Sequence, residues 1–207
     1  MAKADHSIDP RILRSAREEF LKNGFEMASL KAICEKAEVT TGALYKRYRG
    51  KEELFCAAVA DTVADLNAVL AEKSALDPSL LTDRQLIEAW NMDEDYVMWW
   101  FQFLYDRHDD FVLLLTGAQG TRYADFRHDW AAKMTEATCG FYLETKKRGL
   151  TSCELSTDEL HVLLSAFWVT IYEPFIHGFS WEQIKAHCRI ICRLFDWYSV
   201  FGFPKDM

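Results

Sequence analysis

Two short apolar stripes separated by a three-residue turn constrain this chain more than any other feature in it. Leu30, Ile33, Cys34 and Ala37 recur at i, i+3, i+4 and i+7 behind Ser29, a helix-capping residue. Glu38 and Val39 follow, then a second cap at Thr40 and a second stripe of Thr41, Leu44 and Tyr48. Two short helices joined by so tight a turn describe a helix-turn-helix. Asp9-Pro10 reads as the capped start of a preceding helix, with Leu13, Ala16 and Phe20 on one face and Asn23-Gly24 as its stop. Gly50 ends the third helix, and Lys51 opens a fourth that the pattern extends to about residue 75.

Between these helices Lys46, Arg47, Arg49 and Lys51 fall within six residues that include no acid. At about 100° per residue, Leu44 and Tyr48 face the core while Gly42 and Lys46 point away, flanked by Ala43 and Tyr45. That gives small residues where a helix would meet base edges and donors where it would meet phosphates. Lys51 stands in the first turn of its helix against the helix dipole, at a cost of about 0.5 kcal/mol. A bound phosphate would remove that conflict, and the Ser29 hydroxyl with the neighbouring N–H groups offers a second anion site. The competing reading is a solvated basic face on a three-helix bundle. The tight turn, the two caps and the position of Lys51 favour nucleic acid.

Charge divides the chain. Residues 1–56 carry 11 Lys/Arg against 9 Asp/Glu, whereas residues 57–207 carry 13 against 23 and hold all seven tryptophans. A small basic unit therefore precedes a large acidic, aromatic one, and the two are expected to meet different partners. Few Gly and Pro interrupt the sequence, which favours long helices. No apolar run is long enough to span a bilayer, the opening "MAKADHSIDP" has no apolar signal core, and the six cysteines are irregularly spaced. A cytoplasmic protein with reduced thiols is the expectation.

The stretch "GFEMASLKAICEKAEVTTGALYKRYRGKEELF" resembles the DNA-binding domain of the TetR family of bacterial transcriptional regulators. The resemblance runs through Gly24-Phe25, Ser29, Ile33-Cys34, Ala37-Glu38-Val39-Thr40, Gly42-Ala43-Leu44-Tyr45, Arg47-Tyr48 and Lys51-Glu52-Glu53-Leu54. It covers roughly residues 9–56. Three departures stand out: Glu38 where the family has a turn glycine, Arg47 for histidine, and Tyr48 for phenylalanine. The resemblance implies an all-α fold, with a DNA-binding domain at 1–56 (helix-turn-helix about 29–50) and a helical effector-binding and dimerisation domain at 57–207. It also implies a homodimer on a palindromic operator and carries Tyr45 and Lys51 over as phosphate ligands. The full set of candidate DNA contacts is Ser29, Lys31, Thr40, Thr41, Gly42, Tyr45, Lys46, Arg47 and Lys51. With no Arg, Asn or Gln at the reading end of the helix, direct base readout is expected to be weak and DNA shape to contribute.

In the second part, "SALDPSLLTD" reads as a loop and hinge region. Helices are expected near 83–92, on either side of an acidic break in 93–120, and over 120–148, 157–178 and 180–201. The last carries two stripes, Ile184-Cys188-Ile191-Phe195 and His187-Ile190-Leu194-Trp197, one for its own subunit and one for a partner. Dimerisation through the last two helices follows. Aromatic stripes are usually core, but the tryptophan excess and the resemblance suggest a cavity for a small, largely hydrophobic effector. Trp99, Phe103, Arg122, Phe126, Trp130, Trp168 and Tyr172 are the candidate ligand residues.

Weaker constellations are Asp106, Asp109 and Asp110, read as a polar break; Glu173 and His177 about Pro174, read as a paired kink; and Cys188 with Cys192, read as buried thiols. No catalytic, dinucleotide or metal-protease motif occurs, so neither catalytic residues, nor a cofactor, nor a metal is expected. A ligand-responsive regulator, most simply a repressor, is the reading. An all-helical enzyme or carrier for a hydrophobic molecule is the alternative.

Overall fold

In the computed structural model the chain is helical throughout, and the structure describes residues 8–203. No strand occurs among the described residues, and no single helix is long and apolar enough to cross a membrane. The reading of the first ten residues as free of a signal core falls mostly outside them. Two compact units emerge. The first runs to Asp65 and resumes over Arg107–Phe126; the second holds Leu66–Asp106 and resumes at Arg127.

In the first unit α1 (Asp9–Met27) packs on α2 (Leu30–Ala37) and α4 (Lys51–Ala58), with α3 (Thr41–Tyr45) against α2. Asp9 lies inside the first turn of α1 and does not cap it, because its carboxylate is taken by Arg47. Gly24 breaks α1 at φ 69°, ψ 168°, a conformation open to glycine, so the expected stop is an internal kink. Phe20, Phe25 and Phe55 close the core, with ring centroids 5.1–6.2 Å apart. Glu38, which stands where the family has a turn glycine, adopts φ 55° and pairs with Arg11 at 3.2 Å. The turn thus requires the left-handed conformation, and a non-glycine residue bears about 1 kcal/mol of strain.

The expected fourth helix is two. It breaks after Ala58 at Val59 (φ −104°, ψ 4°) and continues as α5 (Ala60–Ser74). Neither Pro nor Gly marks the break, which is why the apolar pattern runs through it.

The first unit is completed from a distant part of the chain by α8 (His108–Val112) and a π-helical turn, Leu113–Gly117, both packed on α1. Asp110 joins these elements: it receives the Arg17 guanidinium at 2.6 Å and the Thr62 hydroxyl at 3.3 Å. Arg107 reaches Asp65 at 2.6 Å. The acidic break is therefore not one polar cluster. Asp110 is an inward ion-pair partner, Asp109 bonds His108, and Asp106 accepts from Gln102.

The second unit contains the end of α5, a 3-10 turn (Pro78–Leu80), α6 (Asp83–Glu88), α7 (Glu94–Tyr105), α9 (Phe126–Lys147), α10 (Thr157–Ile176), α11 (Trp181–Leu194) and α12 (Trp197–Phe201). Capping boxes at Thr82, Ser156 and Ser180 start three of these helices. Arg148 ties down the loop read as a hinge, donating to the carbonyls of Leu81 at 2.7 Å and Ser79 at 2.9 Å. The last expected helix breaks at Phe195-Asp196, where Asp196 caps α12. The break turns Trp197 inward against Trp90, at 5.8 Å, and Phe201, so it leaves the partner-facing stripe in which periodicity had placed it. Phe195 likewise stacks on Trp197.

Candidate nucleic-acid interface and ligand cavity

The two short helices are built as their caps dictate. Ser29 Oγ accepts from the Ala32 N–H at 3.3 Å and Thr40 Oγ1 from the Ala43 N–H at 3.1 Å. Leu44, fully buried, anchors α3 from below. Regular α-helix ends at Tyr45, but the Tyr48 N–H still donates to the Leu44 carbonyl at 2.9 Å, extending the helix by a turn. Thr40, Thr41, Gly42, Tyr45 and Lys46 are exposed on this element, as are Ser29 and Lys31 at the start of α2. Tyr45, 56% exposed, is a large aromatic held on the surface by its position on the face away from Leu44.

The remaining two candidate contacts are otherwise engaged. Arg47 is half-buried, bonding the Asp9 carboxylate and donating to the Ala43 carbonyl at 3.1 Å. Lys51 turns back over α1, donating from Nζ to the carbonyls of Glu26 at 2.7 Å and Ala28 at 3.2 Å, above the Phe25 ring. Carbonyls at a helix C-terminus lack partners within their own helix, and a cation relieves both that deficit and the dipole. The cation that looked misplaced at the start of α4 is thus well placed at the end of α1.

In the second unit the tryptophans gather as a cluster. Trp100 meets Trp168 edge-on at 4.9 Å and Trp130 at 6.1 Å, and Trp168 stacks on Tyr172 at 6.2 Å. Trp130, Trp168 and Tyr172 are buried core. Burial pushes the Tyr172 phenol well up, and its hydroxyl donates to the Arg127 carbonyl. Trp99 stacks on Phe103 at 5.2 Å and stays half exposed. Arg122 and Phe126 belong to the first unit. There the Arg122 N–H donates to Glu52 and Phe126 packs on Phe111.

One cavity of the second unit combines apolar walls with unspent donors. It measures about 510 Å³ and is lined by Val69, Glu72, Lys73, Leu76, Tyr96, Trp99, Trp100 and Met134. Trp99 alone of the seven candidate ligand residues lines it. Lys73 and Tyr96 were not legible as site residues, because each reads as an ordinary position on an amphipathic helix.

Cys188 and Cys192 sit beside each other, and burial pushes both thiols up, Cys192 to about 12. Thiols held so far from ionisation are poor nucleophiles. His177 pairs with Glu173 at 3.3 Å across the Pro174 turn.

Residues 12–58, the whole of the capped helical array, match the family described as "Bacterial regulatory proteins, tetR family". Over this segment the chain is similar to the TetR family. Over 49 residues it is 47% identical to the HTH-type transcriptional regulator UidR of Escherichia coli K12, covering 24% of this chain and 25% of that protein. The chain's match thus spans about a quarter of the length of the curated relatives. Across nearly its whole length the fold recurs in solved structures. A TetR-like regulator from Rhodococcus sp. RHA1 aligns with TM-score 0.60 at 20% identity, covering 96% of this chain and 98% of that one. NalD of Pseudomonas aeruginosa, described as the secondary repressor of a multidrug efflux pump, aligns at 0.60 and 19%, covering 98% and 100%. FadR of Bacillus subtilis, solved with stearoyl-CoA, aligns at 0.55 and 14%, covering 90% and 96%. At these identities the solved structures speak to the fold alone. The curated relatives are described as transcriptional regulators, and the likeness to them lies in the helix-turn-helix segment.

Proposed function

We propose that this chain is a homodimeric transcriptional repressor that leaves a palindromic operator when a small, largely hydrophobic effector enters its second unit. One observation carries the reading. The residues matching the family form a capped pair of short helices whose exposed face is Thr40, Thr41, Gly42, Tyr45 and Lys46. Small side chains at the N-terminal end let the backbone approach base edges, and Tyr45 with Lys46 reach phosphates. Ser29 and Lys31 flank a second phosphate at the start of α2. Arg47 acts from behind, holding α3 to Asp9, and Lys51 shares its ammonium between the end of α1 and DNA. The functional boundary falls near residue 56, with effector binding and dimerisation assigned to 57–207.

For the dimer, α10 exposes Val162 and Val169, and α11 exposes Ile190 and Leu194, 62% and 68% open to solvent. Exposed aliphatics on two successive helices suit a self-complementary interface. Effector binding is read as a population shift between half-site spacings that fit the operator and those that do not. NalD's description as a repressor and FadR's stearoyl-CoA are in keeping with this.

The test is a gel shift on the promoter region beside the protein's own coding sequence, at about 50 and 200 mM salt, paired with sedimentation of the free protein. A dimer whose affinity falls steeply with salt is expected. A monomer, or a protein with no salt-sensitive affinity for any duplex, overturns the reading.

A further inference from the structure

The lining of the 510 Å³ cavity is chemically lopsided. Trp99, Met134, Val69 and Leu76 supply apolar wall, and against them stand three hydrogen-bond donors. Lys73 Nζ lies 4.9 Å from the centre of the Phe141 ring, with no carboxylate paired to it among the described residues. The Trp100 side chain is buried, and its N–H has no aligned acceptor, although the Tyr96 phenol interacts with the indole. The single carboxylate of the lining, Glu72, is on an exposed residue and keeps its water.

A neutral hydrophobe in this space would leave the Lys73 ammonium without an acceptor, and a buried donor left unmatched is costly. A cation would be repelled by Lys73. An anionic oxygen satisfies the ammonium. We propose that the cavity binds an amphipathic carboxylate, its head group held by Lys73 beside the Trp100 N–H and the Tyr96 hydroxyl, its apolar body laid against Trp99 and Met134. This rests on the reading of the chain as ligand-responsive and names the effector class. Burial without a counter-charge depresses the Lys73 ammonium from its ordinary value, as expected of a cation kept ready for an anion. Trp99 and Leu76 in the lining are half exposed. The volume lies within the range of small-molecule sites.

The experiment titrates the full-length protein with naphthalene-1-acetate and decanoate, each against its neutral amide, by tryptophan fluorescence and calorimetry. Each acid is expected to bind about tenfold more tightly than its amide. Lys73→Met should bring acid and amide within about twofold, and Lys73→Arg should keep most of the preference. Trp99→Phe should keep calorimetric binding while losing part of the fluorescence response, which localises the ligand.

Equal affinity of acid and amide in the native protein overturns the proposal. So does an acid preference that survives Lys73→Met, or a panel in which no acid binds at all. Lys73→Arg, together with the thermal unfolding of both variants, separates loss of the head-group contact from loss of fold. The gel shift is read separately. Acid preference without DNA binding keeps the cavity assignment and sinks the regulator, and DNA binding without acid preference does the reverse.

Discussion

The helix-turn-helix and the aromatic unit are made of the same kind of element, yet their sites differ in how they are written into the sequence. In the first, a hydroxyl cap and the stripe behind it sit within ten residues of one another, so function follows from local spacing. Ser29, Thr40 and Leu44 set where α2 and α3 begin and which way α3 faces. In the second, Lys73 on α5, Tyr96 and Trp100 on α7, and Met134 on α9 meet only after tertiary packing. A local code survives reading by eye; a convergent one needs the fold.

The comparison is sharpened most by asking how independent the local code is. Asp110 lies far from the helix-turn-helix in sequence, yet its side chain is 15% exposed and paired with Arg17 on α1. Removing one member of such a pair strands the other, so Asp110→Ala should cost about 3 kcal/mol, read by urea unfolding. Arg17→Ala should cost nearly as much and the double variant less than their sum. If Asp110→Ala leaves stability unchanged, the N-terminal helices stand on local interactions alone.

Next comes the division of labour between two lysines that the sequence treats alike. Lys46 is exposed on the outer face, so Lys46→Ala should leave the melting temperature unchanged while lowering the salt slope of operator binding by about one per subunit. Lys51 holds the end of α1, so Lys51→Ala should weaken DNA binding and also cost about 1 kcal/mol of stability. A Lys51→Ala protein of native stability with a reduced slope would return Lys51 to a purely phosphate-directed role.

How far the sequence reached can be followed through particular residues. The helix starts at Ser29 and Thr40 were legible because a capping hydroxyl leaves a chemical mark. The breaks at Val59 and Phe195 were not, since an apolar stripe continues across each and neither Pro nor Gly interrupts it. Losing the second break carried Trp197 to the wrong face. Phe126 was grouped with the tryptophans on helical spacing and Arg122 as a polar anchor beside them, but the chain from Arg107 to Phe126 packs with the N-terminal helices. Nothing local records that exchange.

For the cavity, the prediction concerns the protein without ligand. Lys73 carries a charge whose folded-state pKa is depressed by burial. Below that pKa the folded state bears the penalty of a desolvated ammonium. As pH rises between the folded pKa and the ordinary lysine value, the folded state has shed its proton while the unfolded chain still holds one. Stability contributed by this group therefore rises with pH across that window. Lys73→Met should accordingly raise the melting temperature at neutral pH by about 1–3 °C, and the gain should shrink as the solution becomes alkaline. A variant that melts lower than the native protein at neutral pH would mean that the Phe141 contact outweighs the desolvation.

The smallest expected effect tests the local code at its weakest letter. Glu38 stands in the left-handed conformation that the turn between α2 and α3 demands. Glycine there would relieve about 1 kcal/mol of strain. It would also lose the exposed Arg11 ion pair, worth little, and free the unfolded chain by a comparable 0.5–1 kcal/mol or so. These terms nearly cancel, so Glu38→Gly should shift the unfolding midpoint by less than about 0.5 kcal/mol in either direction. Glu38→Val keeps the conformational demand but adds a β-branched side chain that resists it, and should cost about 1–2 kcal/mol. If Glu38→Val is as benign as Glu38→Gly, the turn adapts to its residue, and the spacing of caps and stripes alone fixes how α3 is presented.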